Sequence, residues 1–241
     1  MSLIKKIHRF VLDTFFPIRC LSCQKEGMWL CEICQTKILL QVEHVCPICE
    51  KMITPDGRTC LGCKNKKSLN GMIVTCSYKQ SQVAQLIHFF KYRFIHDLHV
   101  PLGKLLVAKL QKTDIPLPNM VVPVPLHPRR LRWRGFNQSA LLAEHLAKNL
   151  LLGSELELRQ DVLIRHRHTS PQMHIKDYWA RQSNIAGAFS VLPDADVKNK
   201  TILLVDDVAT TGSTIFECAK ILKIAGAKEV FAIVIARQTK G

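Results

Sequence analysis

Two adjacent carboxylates, Asp206 and Asp207, end the aliphatic run Ile202-Leu203-Leu204-Val205 and precede a stretch of small and hydroxyl-bearing residues, Val208-Ala209-Thr210-Thr211-Gly212-Ser213-Thr214. Carboxylates of this kind accept hydrogen bonds from sugar hydroxyls, directly or through a metal-bound water. Backbone N–H groups at a helix start hold phosphate, helped by the positive end of the helix dipole. Gly212 lets the main chain approach a ligand closely. The segment therefore reads as a cradle for a phosphorylated sugar, with the two acids on the sugar and residues 208–214 around the phosphate. The plainer alternative is a buried strand that ends in a charged turn. Paired acids followed by T-T-G-S-T at a helix start is a more specific combination than such a turn requires.

A second set of residues points to metal. Eight of the ten cysteines form four C-x-x-C pairs: Cys20/Cys23, Cys31/Cys34, Cys46/Cys49 and Cys60/Cys63. Each pair can supply two thiolates to a tetrahedral zinc, and two pairs close a structural Cys₄ site. Four pairs, in a segment too small and polar for a core of its own, favour two structural zinc ions over redox chemistry or disulfides. Adjacent pairing is expected, with interleaved pairing left open by the spacing. Closed ligand sets give these ions no catalytic role. Cys76 and Cys218 fall in apolar patterns and read as core residues.

The third set is cationic. After the apolar stretch 120–125, residues 126–138 carry Arg129, Arg130, Arg132 and Arg134, then Asn137 and Gln138, with no acid among them. Guanidinium forks suit phosphate oxygens. Trp133 and Phe136 lie between the arginines and could stack on the bases of single-stranded DNA, while a solvated basic loop is the bland reading. A further basic stretch runs from Arg165 to Arg181.

These residues must be positioned by a sheet and its helices. The buried run 202–205, the acids, the loop and an amphipathic segment stopped by Gly226 make one strand–loop–helix unit. Residues 120–125, the arginine loop and a helix capped by Asn137 or Ser139 make a second. An edge strand is expected at 71–78, helices at 81–92 and 100–112, and strands at 158–165 and 229–236. An apolar fraction of 47% is ample for a core, and no apolar run is long enough to span a bilayer. Residues 1–16 read as an amphipathic helix rather than a secretory signal. The expected organisation is that helix, a double zinc ribbon at 17–70 and an α/β domain at 71–241, in a cytoplasmic protein. The formal charge of +15 falls to about +11 once eight thiolates and two zinc ions are included, which keeps polyanions plausible as partners.

The V-D-D-V-A-T-T-G-S-T segment resembles the 5-phosphoribosyl-1-pyrophosphate (PRPP) motif of type I phosphoribosyltransferases. The full order resembles the ComF family of competence proteins: cysteine pairs, a V-P-V-P strand, H-P-R-R-L-R-W-R-G-F-N-Q, a basic stretch, then the acidic loop. That resemblance implies an α/β fold of type I phosphoribosyltransferase kind, a parallel sheet flanked by helices and preceded by a small zinc-ribbon module. It implies Asp206 and Asp207 on ribose and Mg²⁺, arginines on pyrophosphate or DNA, and a mobile flap near Arg165–Arg181. It further implies single-stranded DNA and PRPP as ligands, and DNA-uptake channel and helicase components at the inner membrane as partners, with peripheral membrane association a further expectation. Three functions follow: a DNA-handling factor that binds PRPP, a working phosphoribosyltransferase with an unknown acceptor, or a PRPP-sensing regulator.

Overall fold

A computed structural model describes residues 17–64, 68–167 and 185–238. The helix expected at 1–16 and most of the 165–181 stretch, Arg181 included, lie outside these residues. The strands are β1 (Gly71–Ser77), β2 (Met120–Pro123), β3 (Glu157–Leu158), β4 (Leu163–Arg165), β5 (Phe189–Val191), β6 (Thr201–Ala209) and β7 (Glu229–Arg237). The helices are α1 (Glu32–Thr36), α2 (Ser81–Tyr92), α3 (His99–Leu110), α4 (Pro128–Arg134), α5 (Gln138–Asn149) and α6 (Ser213–Ile224).

Five strands pair in the order β1-β7-β6-β2-β3, all parallel. A parallel sheet covered on both faces needs strands that are apolar throughout, and residues 202–205 of β6 and 230–236 of β7 are fully buried. The two-residue period divides them between two cores. Leu203, Val205, Phe231 and Ile233 face α2, α3 and α5, whereas Ile202, Leu204, Ala232 and Val234 face α6 and the antiparallel β4–β5 pair. Phe90 of α2 is wholly buried in the first core, a placement that contributes about 2–3 kcal/mol by removing its ring from water.

Strand order decides where a ligand can sit. From β2 the chain crosses through α5 to β3 on one side; from β6 it crosses through α6 to β7 on the other. The connections leaving the neighbouring β2 and β6 therefore diverge, and a crevice opens beyond the carboxyl ends of those two strands.

Several expectations need correction. The arginine segment is not a loop: residues 128–134 form α4, begun by Pro128 in its first turn and closed by Gly135 in the left-handed conformation at φ 82°. Residues 158–165 do not form one strand but two, β3 in the main sheet and β4 in the two-stranded pair. Between them Arg159 bonds both oxygens of Asp161 at 2.8 and 3.1 Å, a charged turn that breaks the run. Cys76 and Cys218 are fully buried, as core residues should be.

The cysteine-bearing segment is not polar throughout, and it leans on the sheet domain. Leu30 and Ile38 join the core formed with α2, α3 and α5, while Ile33, Leu39, Val42, Ile53 and Leu61 stay exposed. Gln80 exchanges two hydrogen bonds with the Leu39 backbone, and Lys109 donates to the Gln41 carbonyl at 2.8 Å. The buried Arg237 donates to the Pro47 carbonyl and to Glu50. Gly57, at φ +68°, sits so close to β1 that a Cβ there would lie 2.1 Å from the Met72 carbonyl oxygen. No helix of the described residues is long and apolar enough to cross a membrane.

Candidate functional site

Asp206 and Asp207 lie in the carboxyl-terminal half of β6, just past its last pairing with β2 at Val205. Asp207 is largely buried and its Oδ1 lies 2.8 Å from Lys91 Nζ of α2. The same oxygen accepts the Val208 N–H at 2.6 Å. Asp206 Oδ1 accepts the Ser139 hydroxyl at 2.8 Å and the Asp207 N–H at 2.9 Å. Burial and the neighbouring Asp207 push the Asp206 carboxyl up to about 7, against the opposing pull of Lys91 and Ser139. Burial works against the Lys91 charge, but Asp207 outweighs it and raises the ammonium above the ordinary lysine range. Two carboxylates thus share one ammonium, an arrangement with capacity for a further cation or a ring of ligand hydroxyls.

The loop beyond the acids turns through Gly212, at φ +76°, into α6. A Cβ on Gly212 would meet the Phe216 ring at 3.0 Å, so both conformation and space demand glycine. Thr211 and Ser213 are buried and hydrogen-bonded to each other at 2.7 Å. Thr210, Thr214 and Val208 line the crevice instead. Within 208–214 the structure therefore separates three residues that line the crevice from four (Ala209, Thr211, Gly212 and Ser213) that shape the turn.

The same crevice, of about 640 Å³, is lined also by Arg129, Arg130 and Arg134 of α4 and Arg165 of β4. Burial lowers the Arg130 guanidinium, with the Arg134 charge adding to it. Burial and then the Arg130 charge bring Arg165 down to about 10. Like charges gathered beneath a protein surface disfavour one another, and an anion bound among them relieves that cost. Arg134 donates to Gln138 Oε1 at 2.8 Å, which ties α4 to the first turn of α5. Asn137 is the cap of α5, accepting from the Ser139 N–H and donating to the Val124 carbonyl. Arg132 is exposed and does not line the crevice. A larger groove of about 1280 Å³ runs between the cysteine segment and α3, lined by Glu32, Glu43 and Asp56 as well as Lys104, Lys109 and Lys112. Its balanced charge gives no preference for anions, and it holds neither the acid pair nor the hydroxyl loop.

The cysteines gather as two sets of four, Cys20/Cys23/Cys31/Cys34 and Cys46/Cys49/Cys60/Cys63, with the sulfurs of each set within 4.8 Å of one another. This is the adjacent pairing. Thiolates on a zinc at about 2.3 Å stand about 3.8 Å apart; the Cys23–Cys31 and Cys49–Cys60 sulfurs are 3.6 and 3.9 Å apart. The N–H groups of Cys31 and Cys60 point at Cys20 and Cys46 Sγ, both at 3.4 Å. Each set can hold a zinc ion.

The sequence marks Lys91 only by its charge and Ser139 only as a possible helix cap, yet both contact the acid pair. Neither has a local signal: each is brought to β6 by the packing of its helix on the sheet.

The family model for the phosphoribosyl transferase domain matches residues 137–241. DNA utilization protein YhgH of Escherichia coli K12 is 31% identical over 209 residues, covering 85% of this chain and 88% of that protein. Competence protein F of Haemophilus influenzae is 30% identical over 235 residues, covering 92% and 98%. Competence protein ComFC of Streptococcus pneumoniae is 29% identical over 221 residues, covering 90% and 91%. With such identity running through nearly the whole of both partners, and a parallel helix-flanked sheet of type I phosphoribosyltransferase kind beneath it, this chain belongs to the ComF family.

Proposed function

We propose that the chain binds PRPP in the crevice beyond β2 and β6 and handles single-stranded DNA during DNA uptake, working in the cytoplasm beside the uptake channel and helicase at the inner membrane. The observation that carries this reading is the gathering of an acid pair and four arginines in the lining of one crevice at the sheet's switch point. Asp206 and Asp207 hold the ribose hydroxyls; Thr210, Thr214 and the backbone around Gly212 hold the 5′-phosphate; Arg129, Arg130, Arg134 and Arg165 hold the pyrophosphate. Mg²⁺ fits the oxygen donors of the acid pair, and when bound with PRPP it would offset charge on the pyrophosphate. The two cysteine sets hold zinc as structural ions. The names of the relatives, a DNA utilization protein and competence proteins, support the DNA half of the proposal, as does the strongly basic composition.

The crevice also supports turnover as a second reading, because the arginines that bind pyrophosphate would stabilise it as a leaving group. PRPP-dependent pyrophosphate release, lost on Asp206→Ala and Asp207→Ala, would establish transfer. Release that never appears across candidate acceptors leaves the binding role.

The DNA half is tested by gel shift with an unstructured single strand at several salt concentrations. Affinity should fall with a log–log slope of about 0.7 per phosphate contacted. No detectable complex at low salt would remove DNA handling from the proposal.

A further inference from the structure

Three exposed aromatic side chains lie in or next to the lining of the crevice. Trp133 of α4 is 63% exposed, Tyr92 at the end of α2 39%, and Phe94 38%. Trp133 and Phe94 meet edge to face, with ring centroids 5.0 Å apart and planes at 87°. Phe94 is the one apolar residue among the described non-glycine residues with positive φ, at 56°. It follows Arg93, the C-cap of α2, a position where glycine is the usual left-handed residue. A bulky side chain in that conformation is strained, and Phe94 remains partly exposed. Phe136 behaves differently. It packs against Phe90 and His96, with centroids 5.7 and 5.4 Å away, and faces inward.

Position gives the exposed rings a use. Trp133 and Tyr92 line the same crevice as Arg129, Arg130 and Arg134, and the Arg134 guanidinium lies 6.0 Å from the Trp133 ring centroid. Flat aromatic surface beside guanidinium groups, with a further arginine (Arg132) on the outer side of the same helix, matches a single strand of nucleic acid: bases offer π-faces and the backbone offers phosphates.

We propose that Trp133, supported by Phe94 and flanked by Tyr92, is a base-stacking platform for single-stranded DNA, and that the strand's phosphates take the arginines a pyrophosphate would occupy, so that DNA and PRPP exclude one another. The exclusion rests on the reading of the crevice as a PRPP site; the platform does not. On this account PRPP is a competitor that sets how much of the protein is open to DNA.

The test uses the full chain and a fluorescently labelled oligodeoxythymidylate of about 15 nucleotides, a length within the usual span of single-strand sites. Its binding is followed by anisotropy while Mg²⁺ and PRPP are added at constant ionic strength. The apparent Kd of the oligomer should rise in proportion to PRPP. Trp133→Ala should weaken the oligomer about tenfold, and Trp133→Phe, which keeps a ring, should weaken it less. Phe94→Gly, which relaxes the backbone while removing the support, should also weaken it. PRPP affinity measured by calorimetry should fall less than oligomer affinity in each variant, because the acid pair and the hydroxyl loop stay in place. Oligomer affinity unchanged in Trp133→Ala overturns the platform. PRPP that binds the wild type by calorimetry without displacing the oligomer overturns the exclusion alone. PRPP that does not bind at all overturns the crevice reading and the exclusion together.

Discussion

Asp206 sits where folding alone would favour a neutral side chain. Its carboxyl titrates at about 7 in the folded chain, against about 3.9 for an unfolded aspartate. Between those values the folded state binds more protons than the unfolded state, so stability falls as pH rises through that window. Asp206→Asn removes the effect. Thermal melts should show the variant more stable than the wild type at about pH 8 and equal to it at about pH 4; equal melting at both would mean that the buried charge is not strained. Lys91 is the converse case. Lys91→Met would strand the Asp207 carboxylate and should cost about 3 kcal/mol in urea unfolding at neutral pH, the usual penalty for breaking a buried ion pair. A loss below about 0.5 kcal/mol would place the pair effectively in solvent. At this scale the sequence displayed the acids and arginines but concealed their partners. Helical periodicity shows Lys91 only as a cation in the last turn of α2, and nothing local connects it to β6.

Among the elements, legibility followed the strength of local signals. The unbroken apolar run of β6 with its glycine turn, and the helix over 81–92, are placed by pattern alone. The arginine helix was equally signalled, by Pro128 in its first turn and Gly135 just past its end, but a dense charge run masked those marks. The difference matters for the site, because a helix holds Arg130 and Arg134 on one face while sending Arg132 outward. The cysteine sets are elements of a different kind, short turns held by sulfur and by N–H···S contacts rather than by a core of their own. Cys46→Ser should therefore lower the zinc content of the purified protein by about half and reduce its soluble yield, since zinc affinity is part of the folding free energy. A soluble variant with full zinc content would contradict this.

For the whole molecule, the order of motifs along the chain was readable, but the switch point was not. That β2 and β6 are neighbours whose connections diverge is a property of strand order, which no run of residues encodes by itself. Nor did composition foretell that the cysteine segment docks on α2, α3 and the end of β7 through Gln80, Lys109 and Arg237. The folded result puts acid pair, arginines and exposed aromatics around one opening, on a molecule of strong positive charge. Isothermal titration of PRPP with Mg²⁺ into the wild type and into an Asp206→Asn/Asp207→Asn double variant tests that arrangement most directly. The wild type should give a saturable heat with one ligand per chain, and the variant, still melting cooperatively and retaining its zinc, should give none. Equal heats from the two proteins, or no heat from the wild type, would contradict the assignment of the crevice to a phosphorylated ribose.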